Sequence, residues 1–265
     1  MKSPQGSSPR EGRVTEAVVL MAGAGSRLRG ADTAFLKPLV PVLGRPLVAY
    51  AIDALLSAGT KRIHFVVGYQ AERMVAAIEE LIPPQLEAFF TENREWQKQN
   101  GISLLAAAEN VTSPFLLTMS DHIFDRSIVE VLIESADLNF LNIAIDKKLD
   151  SIFDLEDAMK VETKGERVVS IGKNLRSYDA IDVGLFVCPR EIFRYLERAR
   201  QEGDCSLADG IQLMAQDKRV RAVDIGRAWW QDIDTPETLA AAAKNLQMRT
   251  RHTTATSKIC RSAQG

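Results

Sequence analysis

Glu16-Ala-Val-Val-Leu-Met-Ala22-Gly23-Ala24-Gly25-Ser26-Arg27-Leu28, followed by Leu36-Lys37-Pro38-Leu39, is the stretch that decides how the chain reads. An apolar run with strand character enters a turn of small residues. Arg27 follows at once, and Lys37 lies ten positions further on. Small residues let backbone N–H groups approach phosphate oxygens, and Arg and Lys neutralise the charge. The loop is not a Walker A motif, because Lys37 does not follow a glycine at the required spacing. Nor is it G-x-G-x-x-G, since Ser26, Arg27 and Leu28 follow Gly25. Taken alone, it also fits a tight strand-to-helix turn flanked by surface cations.

Working outward, strand-like and amphipathic helix-like segments alternate. Strands are expected at Ala17–Met21, Arg62–Val67, Leu86–Phe90 and Phe115–Met119, and helices at Pro46–Ser57, Gln70–Leu81 and Ile102–Asn110. This βαβ rhythm predicts a mostly parallel sheet with right-handed crossovers. Ligands of such sheets bind beyond the carboxyl ends of the strands. The Gly23 loop and Ser120-Asp121-His122 both fall on that edge. In the second half, strands are expected at Asn139–Asp146, Ala158–Thr163, Arg167–Ile171 and Ala180–Val187. The turn Lys164-Gly165-Glu166 between two of them predicts a hairpin. Helices are expected at Pro189–Arg200, Ser206–Ala215 and Pro236–Leu246. No linker divides the halves, so one domain with a mixed extension is expected.

Composition narrows the classes. The 265 residues are 46% hydrophobic and carry a formal net charge of −2. No global basic field is present to attract nucleic acid or an anionic membrane. Anionic substrates must be held by local cationic clusters. Cys188, Cys205 and Cys260 are far apart and odd in number, which argues against a disulfide framework and for a reducing cytoplasm. No apolar run reaches the roughly 18 residues of a membrane span. Residues 1–13 and the basic stretch 248–265 read as solvated, disordered tails, and 1–13 lacks a secretory pattern.

Two further constellations bear chemistry. In Leu117-Thr-Met-Ser120-Asp121-His122, a buried strand delivers a carboxylate to the ligand edge, where it would suit Mg²⁺. Capping the following helix is the structural alternative for Asp121, and packing under the loop is the plainer reading of His122. In Trp229-Trp230-Gln231-Asp232-Ile233-Asp234-Thr235-Pro236, the two alternating aspartates share a face if the segment is a strand. One would be structural and the other a second metal ligand. Thr235 and Pro236 are a helix cap and first position.

Together these pieces resemble the sugar-phosphate nucleotidyltransferases. The matching residues are Ala22-Gly23-Ala24-Gly25-Ser26-Arg27-Leu28, Lys37-Pro38, Gly44-Arg45-Pro46-Leu47, Ser120-Asp121 and Trp230-Gln231-Asp232-Ile233-Asp234-Thr235. Within that group the chain is most similar to the CTP:inositol-1-phosphate cytidylyltransferases. That similarity rests on Asn100-Gly101-Ile102-Ser103, Ser120-Asp121-His122, Ala144-Ile145-Asp146, Asp157-Ala158-Met159-Lys160-Val161, Ile171-Gly172-Lys173-Asn174-Leu175 and Asp179-Ala180-Ile181-Asp182-Val183-Gly184. Met21 and Ala24 depart from the commonest residues at their positions without altering the loop's character. In some organisms such enzymes are fused to a membrane-embedded synthase of inositol phosphodiesters. A separate downstream synthase would be this chain's partner.

The resemblance implies an α/β, Rossmann-like mixed, mostly parallel sheet with helices on both faces, the nucleotide-diphospho-sugar transferase fold. The transferase domain would occupy residues 14–247. It implies transfer of a cytidylyl group from CTP to inositol 1-phosphate, giving CDP-inositol and pyrophosphate, with Mg²⁺ as cofactor. Arg27 and Lys37 would be the catalytic cations. Ala22, Gly23, Ala24, Gly25, Ser26, Asn93, Asn100, Ser103 and Ser120 would hold the nucleotide. Asp121 and Asp232 would hold the metal, and Asp146, Lys160, Lys173 and Asp182 the acceptor. Asn93 and Asn100 also suit turns, and the charged segment around Lys173 also suits a surface hairpin. Other pairs remain open: choline phosphate with CTP, or a hexose 1-phosphate with GTP or UTP. Cytidylyl transfer to molybdenum-cofactor or methylerythritol substrates fits the second half less well. A non-catalytic regulator of the same fold is disfavoured by the presence of Arg27, Lys37, Asp121 and Asp232. The inositol stereoisomer and the oligomeric state, a homo-oligomer included, are left open.

Overall fold

The structure, a computed structural model, describes residues 14–262 apart from 31, 33 and 113, with the side chains of 29 and 250–262 outside the described set. The first half runs β1 (Glu16–Leu20), α1 (Ser26–Arg29), β2 (Pro41–Val42), β3 (Arg45–Pro46), α2 (Leu47–Ser57), β4 (Arg62–Val67), α3 (Ala71–Glu79), β5 (Glu87–Glu92), α4 (Asn100–Ala106), β6 (Phe115–Met119), β7 (His122–Phe124) and α5 (Arg126–Ser135). The second runs β8 (Leu141–Asp146), β9 (Lys160–Lys164), β10 (Arg167–Gly172), β11 (Ala180–Cys188), α6 (Ile192–Ala199), α7 (Leu207–Gln216), β12 (Val220–Asp224), β13 (Trp230–Asp232) and α8 (Pro236–Ser262).

Nine strands form one sheet in the order β5-β4-β1-β6-β11-β8-β12-β10-β9, and β11 also pairs with β9. The sheet is mixed. It is parallel through β5, β4, β1 and β6 and again between β8 and β12. It is antiparallel around β11 and in the β9–β10 hairpin. β1 lies inside the sheet, so both of its faces are buried and it reads as a continuous apolar run. Val18 and Leu20 enter one core with α4, α6 and α7; Ala17, Val19 and Met21 enter the other with α2, α3 and α5. That alternation puts helices on both faces and aims the ends of β1 and β6 at the same edge.

A third, smaller core of Val42, Leu47, Ile123, Ile233 and Ala242 seats α8 and the short β7–β13 ladder beside that edge. β12, a short pattern among charged residues, has no counterpart in the sequence reading. The tail expected over residues 1–13 lies outside the described residues. At the other end α8 continues to Ser262 instead of stopping at Leu246. Residues 247–262 hold no Gly or Pro to end a helix, so helical backbone stands where the tail was expected over 248–262. Residues 263–265 lie outside the described set.

Packing is close where α4 meets the segment before α7. A Cβ on Gly101 would lie 2.6 Å from the Cys205 carbonyl oxygen and 2.9 Å from its Sγ. Helix propensity favours alanine at such a position by about 1 kcal/mol, but overpacking against backbone costs about 1–3 kcal/mol. Gly101→Ala is therefore expected to lower the denaturant midpoint. A midpoint raised by the substitution would show that α4 is not held this closely.

Candidate active site

β1 and β6 end side by side, with Ser120 N donating to the Leu20 carbonyl at 3.0 Å. The chain leaving β1 turns at Gly25, whose φ of +61° favours glycine. A Cβ there would also collide with Lys37, 2.6 Å from its Cβ. The small-residue loop is thus wrapped onto Lys37. Gly23 is exposed and has open space on its Cβ side.

Lys37 is 9% exposed. Its ammonium donates to Asp121 Oδ2 and to Asp234 Oδ1, each at 2.6 Å. Asp234 uses its other oxygen on Arg27, at 2.6 Å. Arg27 also reaches Asp157 at 2.5 Å, and Asp157 Oδ1 accepts from Lys173, again at 2.5 Å. A line of alternating charge, Asp121–Lys37–Asp234–Arg27–Asp157–Lys173, therefore crosses the edge of the sheet.

This line borders a cavity of about 620 Å³ lined by Arg27, Asp121, Asp146, Lys173, Asp182 and Trp230 among others, including Asp232 and Asn100. Its floor is a bulge in β11, where the pairing with β8 shifts register between Asp182 and Phe186. Gly184 sits in that bulge with φ +75°, and a Cβ there would lie 2.5 Å from His122 Nε2. The His122 ring occupies the room that glycine leaves and stacks on Trp230 at 6.1 Å. Trp230 Nε1 donates to Asp146 Oδ2 at 2.9 Å, and Lys148 Nζ to Asp146 Oδ1 at 2.8 Å.

The carboxylates are not equivalent. Burial works to raise the Asp121 pKa, but Lys37 and the His122 hydrogen bond hold it far below the usual range. Burial alone would depress Lys37 and His122. The carboxylates beside them win, and both cations are favoured. Asp232 moves the other way: burial raises it, and the nearby charges of Asp234 and Asp121 add to that. Burial also pushes Asp182 up to about 7, against its hydrogen bond from Gly184 N.

The structure brings Arg27, Lys37, Lys173, Asp121, Asp146, Asp182 and Asp232 together at one edge. It separates the two aspartates of the Trp230 segment. β13 ends at Asp232, so Asp234 lies beyond the strand; both line the cavity, and of the two it is Asp234 that bonds the cations. Asp121 is not a helix cap; Asp125 stands at that position before α5. Three assignments meet a different use. The Lys160 ammonium does not line the cavity; it donates to the carbonyls of Glu156 and Lys173 at 3.0 and 2.9 Å and at 3.5 Å to that of Ala158. Its position at the start of β9 turns it inward among unpaired carbonyls. Asn93 is buried; its Nδ2 donates to Ser103 Oγ at 3.0 Å and its Oδ1 accepts from Glu95 N at 2.9 Å. Asn100 Oδ1 accepts from Leu207 N at 2.8 Å, tying α4 to the start of α7. Asp157 and Asp234 as partners of the cations went unread, because their role depends on distances across 130 and 207 positions of chain.

Fold and edge together define a class: an α/β protein whose sheet edge gathers cations and carboxylates where a nucleotide's phosphates would lie. The chain belongs to the family of the MobA-like NTP transferase domain, which matches residues 17–203. It is 32% identical over 233 residues to the bifunctional IPC transferase and DIPP synthase of Aquifex aeolicus, covering 88% of this chain and 52% of that protein. Its identity to the protein of the same name from Thermococcus kodakarensis is 34% over 233 residues, covering 87% and 50%. The chain thus spans about half the length of the curated relatives it matches. Among solved structures, the inositol-1-phosphate CTP transferase from T. maritima is similar with a TM-score of 0.78 at 29% identity, over 86% of this chain and 92% of that one. A UDP-glucose pyrophosphorylase complexed with UDP-glucose has a TM-score of 0.74 at 15% identity, over 89% and 99%, a likeness of fold. Among the described residues no helix is long and apolar enough to cross a membrane.

The raised Asp182 gives a pH test. Unfolded, an aspartate loses its proton near pH 3.9; folded, Asp182 keeps it to about 7. Between those values the folded state binds the extra proton, so this group's contribution to stability falls as pH rises, then levels off. Asp182→Asn removes the ionisation. In chelator, the melting temperature of the variant minus that of the parent should be larger at pH 8 than at pH 5. A difference that stays flat refutes the shift.

Proposed function

We propose that this chain transfers the cytidylyl group of CTP to inositol 1-phosphate, releasing pyrophosphate and forming CDP-inositol. The observation that carries the reading is the row of three cations spaced by carboxylates, Arg27 and Lys173 lining the cavity and Lys37 joined to its lining through Asp121 and Asp234. Each is a seat for a phosphate oxygen. The similarity to a solved inositol-1-phosphate CTP transferase over most of both chains supports the choice of substrates.

A phosphomonoester is already nucleophilic at neutral pH, so no general base is required. What the protein must supply is alignment and neutralisation of charge. Arg27 would hold the β- and γ-phosphates and steady the leaving pyrophosphate. Lys37, fixed between Asp121 and Asp234, would face the α-phosphate. Lys173 would hold the acceptor's phosphate. Asp146, paired with Lys148 and Trp230, and Asp182 would face the acceptor's hydroxyls. Gly23 and Ser26 leave the loop open to the triphosphate. Asn93, Ser103 and Asn100 would shape the base pocket by fixing the backbone around it.

The donor set fits Mg²⁺. Asp232 is pushed up by burial and by two neighbouring carboxylates, a surplus of negative charge that a hard cation would relieve. Among the described residues no three His, Cys, Asp or Glu side chains group closely enough to hold a metal by themselves. The arrangement therefore suits an ion held by Asp121 and Asp232 and completed by phosphate oxygens and water. When bound, it supplies charge neutralisation at the phosphates. Cys188 and Cys205 are buried free thiols, in keeping with a reducing cytoplasm.

Pyrophosphate release across a matrix of nucleotides and phosphomonoesters tests the reading. CTP with inositol 1-phosphate should be the productive pair. Turnover with another pair and none with this one overturns it. Asp121→Ala should lower turnover roughly 100-fold or more. Lys173→Ala should raise the KM for the acceptor about tenfold, more than that for CTP.

A further inference from the structure

Asp157 lies on the segment between β8 and β9, and each of its two oxygens is taken by a different cation. Arg27 comes from α1 and Lys173 from just past the end of β10, each at 2.5 Å. All three side chains are partly exposed, at 52, 38 and 49% for Arg27, Asp157 and Lys173. Such pairs are individually weak and exchangeable. The position of the carboxylate is nevertheless built. The buried ammonium of Lys160 clamps the carbonyls of Glu156 and Ala158, either side of Asp157, to the carbonyl of Lys173. Asp157 N is drawn to Asp154 Oδ1 at 3.3 Å. A cation facing a carboxylate oxygen can hold a phosphate oxygen in the same way, and at Lys173 a side chain of the protein holds that place.

We propose that Asp157 is a specificity-determining residue that holds the acceptor phosphate's place on Lys173, its other oxygen tied to Arg27 on the triphosphate side, so that a dianionic phosphomonoester displaces it from Lys173 and a monoanion does not. The proposal rests on the reading that a phosphomonoester enters on Lys173, with Arg27 left to the triphosphate. A tethered carboxylate competes at high effective concentration. A free monoanion offers Lys173 no more charge than Asp157 already does. A dianion offers twice as much and wins the exchange. The site thereby rejects phosphodiesters, carboxylates and other singly charged anions without any steric barrier.

The test measures binding of two small probes, methyl phosphate and dimethyl phosphate, to the full-length chain at pH 8 and constant ionic strength by titration calorimetry. Parent, Asp157→Asn and Lys173→Ala are compared. The parent should prefer the dianion. Asp157→Asn should tighten dimethyl phosphate by about three- to fivefold, the scale of an exposed ion pair, and narrow the preference. Lys173→Ala should weaken methyl phosphate. If Asp157→Asn weakens both probes, the carboxylate merely positions the cations and the proposal is overturned. An unchanged ratio, or a parent and variant that bind neither probe, overturns it equally. None of these readouts needs CTP or turnover. A failed substrate screen with a narrowed preference would refute the choice of reaction and leave the Asp157 seat standing.

Discussion

The ammonium of Lys37 lies between carboxylates that enter from 84 and 197 positions away in the chain. Burying an unpaired charge is costly, and burying a paired one requires close geometry. That constraint fixes three otherwise independent pieces relative to one another: the loop after β1, the end of β6, and the turn between β13 and α8. Gly25 must lack a side chain for the loop to close over Lys37. Asp234 must leave its strand, and it is held there as the backbone N–H groups of Asp234 and Thr235 donate to Thr238 Oγ1. The rest of the edge is arranged around this contact.

Charge alternates outward from Lys37 and changes character as it goes. Lys37 is buried and its two carboxylates are only partly exposed, and Asp121 stays ionised under the influence of two cationic neighbours. At Asp157 and Lys173 the groups are half-exposed and exchangeable. A single line thus joins an enclosed centre at Lys37 to a half-exposed mouth at Asp157 and Lys173. The bulge at Gly184 serves the enclosed part, because it admits the His122 ring that completes Asp121's hydrogen bonds.

Much of the architecture was legible in the chain. The strands Arg62–Val67 and Phe115–Met119 fall where periodicity puts them, because each is buried on both faces and bounded by turns. Helix ends were less legible. α8 overran Leu246 because a helix without breakers continues beyond its apolar stripe. In the candidate site, the Gly23 loop, which leads to Arg27, and Asp121 itself follow strands at one edge, and their place could be read from order alone. Lys160 could not be read so. Its residue type fits an acceptor phosphate, but its register on β9 points it at three carbonyls. Asn93 and Asn100 were open to two readings, and their amides are engaged by Ser103, Glu95 and Leu207.

By itself the sequence determined the layered α/β fold, the edge on which the candidate site lies and the stock of cations and carboxylates available there. It did so because hydrophobic period, small-residue turns and strand ends are local properties. Only the tertiary structure decided which carboxylate answers which cation. Asp234 rather than Asp232 binds Lys37 and Arg27, and Asp157 spans the mouth to Lys173. Pairing energy depends on distance and burial, and neither exists until segments more than a hundred residues apart have packed together.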